Sequence, residues 1–360
     1  MSPAQVGVSF VVPVHNGARW LDAVLSAILA QKDGRPFEVL AVDDGSTDGS
    51  SVILDRHAVG GEVRVIPGDR RGAAAAINLG VRQAIHPLIG QVDQDVILRP
   101  GWLARLSEAL SAPEVAAAQG YYLTPSGSTL WARVMGLDLE QRYSRIAGRY
   151  VDHVCTGNSV YRAAALHRVG LFDETLGYGY DNDMSYRLGA AGYRLVFCRE
   201  ARSVHRWRED MSSYLRQQYG LGYGRLDLVA KHWRRMRGDD VSGPGMILHA
   251  PAMLAVLAGL GVAPLLAATG LWRPVTLGAA GLLALMAVDR LAAGIRAALR
   301  FRNPAGLGFL PAHLLRNAAW ATALMVWTVR RLRRRAPRPS DSMRPGRPRR
   351  TPRRQRDTRA

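Results

Sequence analysis

The tightest constraint on this chain is a pair of apolar runs that each stop on a cluster of aspartates. Phe37-Glu-Val-Leu-Ala-Val ends at Asp43-Asp44-Gly45-Ser46-Thr47-Asp48, and Pro87-Leu-Ile-Gly-Gln-Val ends at Asp93-Gln94-Asp95. Near-continuous apolar runs of this length predict strands of a parallel sheet covered on both faces. In an open α/β sheet, ligands occupy the crevice beyond the carboxyl ends of the strands. Two acidic clusters at such ends then converge on one crevice. The matching ligand is a divalent cation with the phosphates it neutralises, because hard cations take carboxylate oxygens.

Around these runs, residues 6 to 125 alternate strand and helix. Strands are predicted at Val8–Val14, Phe37–Val42, Val63–Ile66, Leu88–Val92 and Val115–Leu123. The helices between them cover Ala18–Gln31, a short piece capped by Ser46 to Asp48, Ala73–Ile85 and Pro100–Leu110. That order predicts a right-handed, doubly wound, Rossmann-like sheet with mostly parallel strands. Residues 126 to 235 are more mixed, with helices expected at 128–145, 163–169, 181–191 and 210–231 and a short strand at Tyr193–Phe197. No strong linker separates the halves, so 1–235 is read as one domain whose second half faces the acceptor.

Charge has to be located before it is interpreted. Of the formal +19, +12 lies between Arg330 and Ala360, which leaves only +7 for the rest. A Pro/Arg/Ser-rich end with few apolar residues cannot bury a core, so 331–360 is expected to be a disordered basic tail. It serves either as a solvated extension or as a membrane-surface anchor. Specific nucleic-acid binding is not expected, because no aromatics or reading helix lie among those arginines. Two cysteines without metal spacing, Cys155 and Cys198, fit reduced thiols of a cytosolic domain, and no secretory leader opens the chain.

Residues 246–330 are membrane-like. Ile247 to Gly270 has no Lys, Arg, Asp or Glu, enough to cross a ~30 Å hydrocarbon core. Leu271 to Val288 is apolar apart from Arg273 at the turn, so the two form a hairpin of spans. Leu307 to Val329 holds His313, Arg316 and Asn317 and either spans or lies in the interface. The basic stretches after the second and third runs prefer the cytoplasm, which favours the interfacial choice and puts residues 1–245 on the cytoplasmic side.

Val11-Val-Pro-Val-His-Asn-Gly, the Asp43–Ser50 run and Asp93-Gln94-Asp95, in this order and at strand ends, strongly resemble the inverting glycosyltransferase family 2. The resemblance covers residues 6 to about 200 and extends to the membrane segment, since many members end in a few transmembrane helices. It implies a GT-A fold and sugar transfer from a nucleotide-diphosphate sugar to a hydroxyl acceptor, aided by Mn2+ or Mg2+. With the hairpin, it implies an enzyme of the bacterial cytoplasmic membrane acting on a lipid-linked saccharide or glycolipid, as in cell-envelope polysaccharide assembly. Two alternatives stay open: transfer to polyprenyl phosphate itself, and an inactive nucleotide-sugar-binding scaffold.

Residue by residue, the resemblance implies these roles. Pro13, His15 and Asn16 lie in the loop that wraps the nucleotide, or else form a plain strand-to-helix turn. Asp43 and Asp44 are the pair that supplies a carboxylate to the base, and Asn78, in Gly72-Ala-Ala-Ala-Ala-Ile-Asn78-Leu-Gly80, is a donor contact or a packing residue. Asp93 and Asp95 form the metal motif, with Asp95 the direct ligand, Asp93 shared with the ribose, and His205 able to complete the set. Cys155-Thr-Gly157-Asn158 resembles the acceptor-side loop. Gly179-Tyr180-Asp181-Asn182-Asp183-Met-Ser-Tyr-Arg187-Leu188 resembles the family's catalytic helix start, with Tyr180 where Glu is usual. Asp181 is then the general base, and Asp183, on the acceptor side, is in reach of Arg187. No Gly-x-Gly-x-x-Gly follows the first strand, which argues against a nicotinamide enzyme.

Overall fold

A computed structural model describes residues 6–125, 127–235 and 244–335. Its first half follows the hydrophobic pattern closely. Every residue of β1 (Val8–Val14) is buried, and α1 (Ala18–Leu29) seats Leu21, Val24, Leu25 and Ile28 against the sheet. β2 (Phe37–Asp43), α2 (Ser50–Val59), β3 (Arg64–Pro67), α3 (Ala73–Gln83) and β4 (Leu88–Val92) follow. Then come β5 (Val96–Leu98), α4 (Trp102–Ala109) and β6 (Val115–Leu123). The second half adds α5 (Leu130–Tyr143), β7 (Tyr150–Val151), β8 (Asn158–Arg162), α6 (Ala163–Arg168), α7 (Tyr180–Ala190), β9 (Arg194–His205) and α8 (Met211–Lys231).

The strands form one sheet in the order β3-β2-β1-β4-β8-β6-β9-β5, with β7 paired to β9. β3, β2, β1 and β4 are mutually parallel, so their carboxyl ends share a rim. Val14 pairs with Asp43, which sets the loop after β1 beside the first acidic cluster. On the far side β9 runs parallel to β6, and His205 at its end pairs with Val96, one residue past Asp95. One core layer packs α1 and α4 on one face of the sheet, and a second packs α3, α6 and α7 on the other. The doubly wound, mostly parallel expectation therefore holds.

Three strands differ from the sequence reading. β5 and β7 are short edge pieces, and β8 inserts antiparallel between β4 and β6 where an acceptor loop was expected. Asn158 and Ser159 make β8 look like loop, yet both are fully buried. They are tolerated because Asn158 Oδ1 accepts from Trp102 Nε1 at 2.6 Å and Ser159 Oγ donates to the Cys155 carbonyl. β9 also continues well past Phe197, through a bulge between Cys198 and Arg202.

The C-terminal helices are α9 (Pro244–Val262), α10 (Trp272–Phe301) and α11 (Phe309–Arg335). Among the described residues, two helical segments are long and apolar enough to cross a membrane, Leu248–Thr269 and Trp272–Phe301. Only 17% and 11% of their most apolar windows are buried, which sets them apart from core helices of a soluble protein. α11 behaves differently. It packs along α8, with Tyr214 Oη donating to the Ala312 carbonyl at 3.2 Å and Trp327 Nε1 donating to Asp227 at 2.8 Å. α8 thus spends one face on α11. α11 also runs on to Arg335, into the stretch expected to be disordered, and the rest of that tail lies outside the described residues.

Candidate active site

The rim is built by loops that tie neighbouring strand ends together. Gln94 and His15 exchange two hydrogen bonds, His15 N–H to Gln94 Oε1 at 2.8 Å and Gln94 Nε2 to the His15 carbonyl at 2.9 Å. This joins the ends of β1 and β4. His15 Nδ1 lies 3.1 Å from the Asp44 carbonyl, which joins β1 to β2. Asn16 sits at φ 54° and accepts from Thr47 N–H at 2.8 Å, a turn role rather than a pocket role. Asp48 bridges the starts of two helices, accepting from Ala18 N–H and from Ser50 N–H.

Asp43 accepts from Ser46 N–H at 2.9 Å and holds its own turn. Asp44, buried, accepts from Arg71 N–H at 3.2 Å and Gly72 N–H at 2.7 Å. Both of its oxygens therefore anchor the loop before α3, and that loop delivers Arg70 to the pocket. The pocket itself has a volume of about 410 Å³. Pro13, His15, Asp44, Arg70, Asp93, Asp95, Tyr180 and Arg208 all contribute to its wall.

At its floor, Asp93 and Asp95 are carboxylates without a basic partner. Among the described residues no Lys or Arg forms an ion pair with either; His205 Nε2 lies 3.9 Å from Asp95, and Arg208 lines the same pocket. Burial, then the charge of Asp95, pushes the Asp93 carboxyl up to about 6. Burial pushes Asp95 up to about 6 as well, with Arg208 opposing it. Burial likewise pulls His205 down to about 4, so its imidazole is neutral at pH 7 with a lone pair available. Two hard carboxylates short of positive charge and a neutral imidazole are a donor set suited to a divalent cation. Among the described residues no three His, Cys, Asp or Glu side chains already converge on an ion-sized point, so a bound diphosphate would have to complete the shell.

Gly157 explains how β8 approaches this floor. It adopts φ +87°, and a Cβ there would strike the Asp93 carboxylate. Its N–H donates to Gln91 Oε1, while Gln91 Nε2 donates to Asp93 at 2.9 Å. Asp181, in the first turn of α7, lies near enough to raise the Asp93 pKa further. Its Oδ2 is 3.4 Å from His153 Nε2, whose side chain is 10% exposed against 23% for Asp181.

Three expected contacts fall elsewhere. Asn78 is buried and clamps the loop before α7, donating to the Phe172 carbonyl at 2.8 Å and to Glu174 at 2.9 Å. Asn158 is absorbed by Trp102 as described. Asp183 is fully buried among Arg187, Lys231 and His232, each within 2.8 Å, and pins α7 to the end of α8. Conversely, Arg70, Arg208, Tyr180 and His153 were not singled out for the site from sequence. Arg208 had a signal, since it follows His205 by three residues and its backbone neighbour Arg206 donates to the Asp95 carbonyl. Arg206 and Arg19 both lie over the Trp20 ring, at 4.1 Å and 4.7 Å, which holds that segment across the rim.

Residues 9–170 match the family model for glycosyl transferase family 2. Over that stretch the chain is similar to family 2 glycosyltransferases. Its relatives agree with that. The chain is 28% identical to the pre-mycofactocin glycosyltransferase of Mycobacterium tuberculosis, over 82% of its own length and 59% of that protein's. It thus spans less than two thirds of that relative. It is 26% identical to the succinoglycan biosynthesis protein ExoA of Rhizobium meliloti, over 86% of this chain and 92% of that one. Among solved structures, the mannosyltransferase PcManGT from Pyrobaculum calidifontis, in complex with GDP-Man and Mn2+, superposes with a TM-score of 0.55 at 21% identity. The match covers 88% of this chain and 87% of that one, and identifies the architecture as GT-A.

Proposed function

We propose that this chain is a metal-dependent, inverting glycosyltransferase that moves a sugar from a nucleotide diphosphate to a hydroxyl of an acceptor held at the membrane. One observation carries the reading: two carboxylates at the carboxyl end of β4, Asp93 and Asp95, line one pocket, and among the described residues neither forms an ion pair with a Lys or Arg. The PcManGT complex with GDP-Man and Mn2+ supports a nucleotide sugar and a divalent ion as the missing partners.

Asp95, Asp93 and His205 would hold the ion, which when bound supplies Lewis acidity toward the leaving diphosphate. Arg70 and Arg208, which both line the pocket, would meet phosphate oxygens with planar donor forks. Pro13, His15 and the Asp43–Asp44 turn border the nucleotide. Gly157 lets the start of β8 close directly onto Asp93, and Asp181 takes the proton from the acceptor hydroxyl as it attacks the anomeric carbon from the opposite face. Attack opposite to the leaving group inverts that carbon.

In this reading residues 1–235 are the catalytic domain, facing the cytoplasm, and α9 and α10 are its membrane spans. Their bare apolar flanks favour a lipid-linked acceptor. The test is Asp181→Asn. Turnover should fall by about 10²–10⁴-fold, the usual worth of a positioned base. Thermal stabilisation by UDP-, GDP- or dTDP-sugars with manganese should be retained. A variant that transfers sugar like the wild type, or a wild type stabilised by no nucleotide sugar, would defeat the proposal.

A further inference from the structure

α11 carries a polar stripe through an otherwise apolar stretch. His313, Arg316, Asn317 and Trp320 recur at three- and four-residue spacing and so share one helix face. That face is turned into the protein. His313 and Arg316 lie 3.6 Å and 3.5 Å from Asp138 of α5, and the Arg316 guanidinium sits 5.2 Å from the Trp320 ring. Arg142 pairs with the same Asp138 at 2.9 Å. From α10, Asp289 and Arg290 pair with each other, and His249 of α9 reaches Asp289 at 3.6 Å.

The cluster is unbalanced in two ways. It contains three guanidinium groups, Arg142, Arg290 and Arg316, against two carboxylates, Asp138 and Asp289. Its unmet groups include four donors, Arg316 Nε and Nη2, Asn317 Nδ2 and Trp320 Nε1, alongside Asn317 Oδ1 and one ring nitrogen each of His249 and His313. Buried polar groups are normally paired, and leaving several donors unmet is costly. Surplus donors beside surplus positive charge describe a site that lacks an anion. Guanidinium forks match the geometry of phosphate in particular.

Position narrows the anion further. Side-chain exposure falls from 49% at Asp289 through 23% at Arg142 to 4% at Arg316, so the cluster opens between α5 and α10 and ends inside at Asn317. Beside that mouth on α10, Leu285 and Val288 are bare apolar surface. A hydrocarbon chain lying along α10 would therefore bring its headgroup to the opening. We propose that this cluster binds the phosphate of a long-chain lipid, the carrier of the acceptor, at a site separate from the donor pocket. The inference rests on the lipid-held acceptor proposed above and gives it an address.

The test uses the full chain in detergent and follows thermal unfolding with a polyprenyl phosphate, the matching polyprenol, and inorganic phosphate. Only the polyprenyl phosphate should raise Tm saturably. Arg316→Gln and Asn317→Leu should each raise its half-saturating concentration at least about ten-fold, a loss of one charged or polar phosphate contact. Both variants should keep the shift produced by nucleotide sugar. A photoactivatable polyprenyl phosphate should label α10 or α11 in the wild type. Equal shifts from polyprenol or from inorganic phosphate would overturn the lipid-phosphate assignment. So would variants that titrate like the wild type, or labelling confined to the rim near Asp181. A donor shift that survives while the lipid shift is absent removes this site alone; loss of both removes the transferase reading as well.

Discussion

The donor rim and the helical layer beneath it both bury polar side chains, but with opposite deficits. At the rim, Asp43, Asp44 and Asp48 are satisfied by backbone N–H groups of their own and neighbouring loops. That leaves Asp93 and Asp95 short of positive charge. In the layer formed by α5, α9, α10 and α11, arginines outnumber carboxylates and their donors go unmet. The contrast teaches what each place lacks: positive charge in one, hydrogen-bond acceptors in the other. Neither imbalance shows in the net charge of the chain.

The comparison breaks most directly at Asp95. Replacing it with Asn removes the negative charge that makes the floor a cation site. Turnover should fall on the order of a thousand-fold, since metal stabilisation is worth several kcal/mol. Manganese-dependent stabilisation by the nucleotide sugar should vanish with it, as read by thermal shift with and without the ion. A variant that keeps manganese dependence moves the metal elsewhere.

pH sharpens the same point. Without metal, Asp93 and Asp95 titrate near 6, above the ordinary aspartate value of 3.8, so the folded state holds more protons than the unfolded state between those values. The pair's own contribution to metal-free stability should therefore rise as pH falls from 7 toward 5, against the opposite contribution of His205, and the difference between wild type and Asp95→Asn isolates it. With manganese the trend reverses, because protons compete for the same oxygens and the ion's stabilisation is lost as pH drops through 6. Parallel melting curves with manganese and with EDTA test both signs. Parallel slopes would mean that the pair is not where the ion binds.

A smaller effect is expected at His153, which orients Asp181 from 3.4 Å. His153→Gln should lower kcat about ten-fold, equivalent to about 1.4 kcal/mol, with KM for the donor unchanged. His153→Ala should lose more, and a fall confined to KM would show that the ring serves binding instead.

How far the sequence carried the fold depends on how local the physics is. β1, β2, β4 and β6 declare themselves because each is a strand buried on both faces, so its composition alone marks it. The acidic clusters are legible for the same reason, as breaks in those runs. β8 is not legible: Asn158 and Ser159 are made buriable only by Trp102 and by a turn carbonyl, and no local window contains the Trp102 partner. Asn78 and Asp183 illustrate the same limit at the site, since their partners arrive from Phe172 and from the end of α8. His313, Arg316 and Asn317 made the third apolar run ambiguous for a membrane, because the partner of His313 and Arg316, Asp138, lies far away in the sequence.

Gly157 has a consequence for how this gene can drift. Its left-handed backbone and its closeness to Asp93 independently forbid a side chain. Every amino-acid change one nucleotide away from a glycine codon adds at least a methyl group. The codon is thus a place where almost any missense substitution disturbs the Asp93 carboxylate directly.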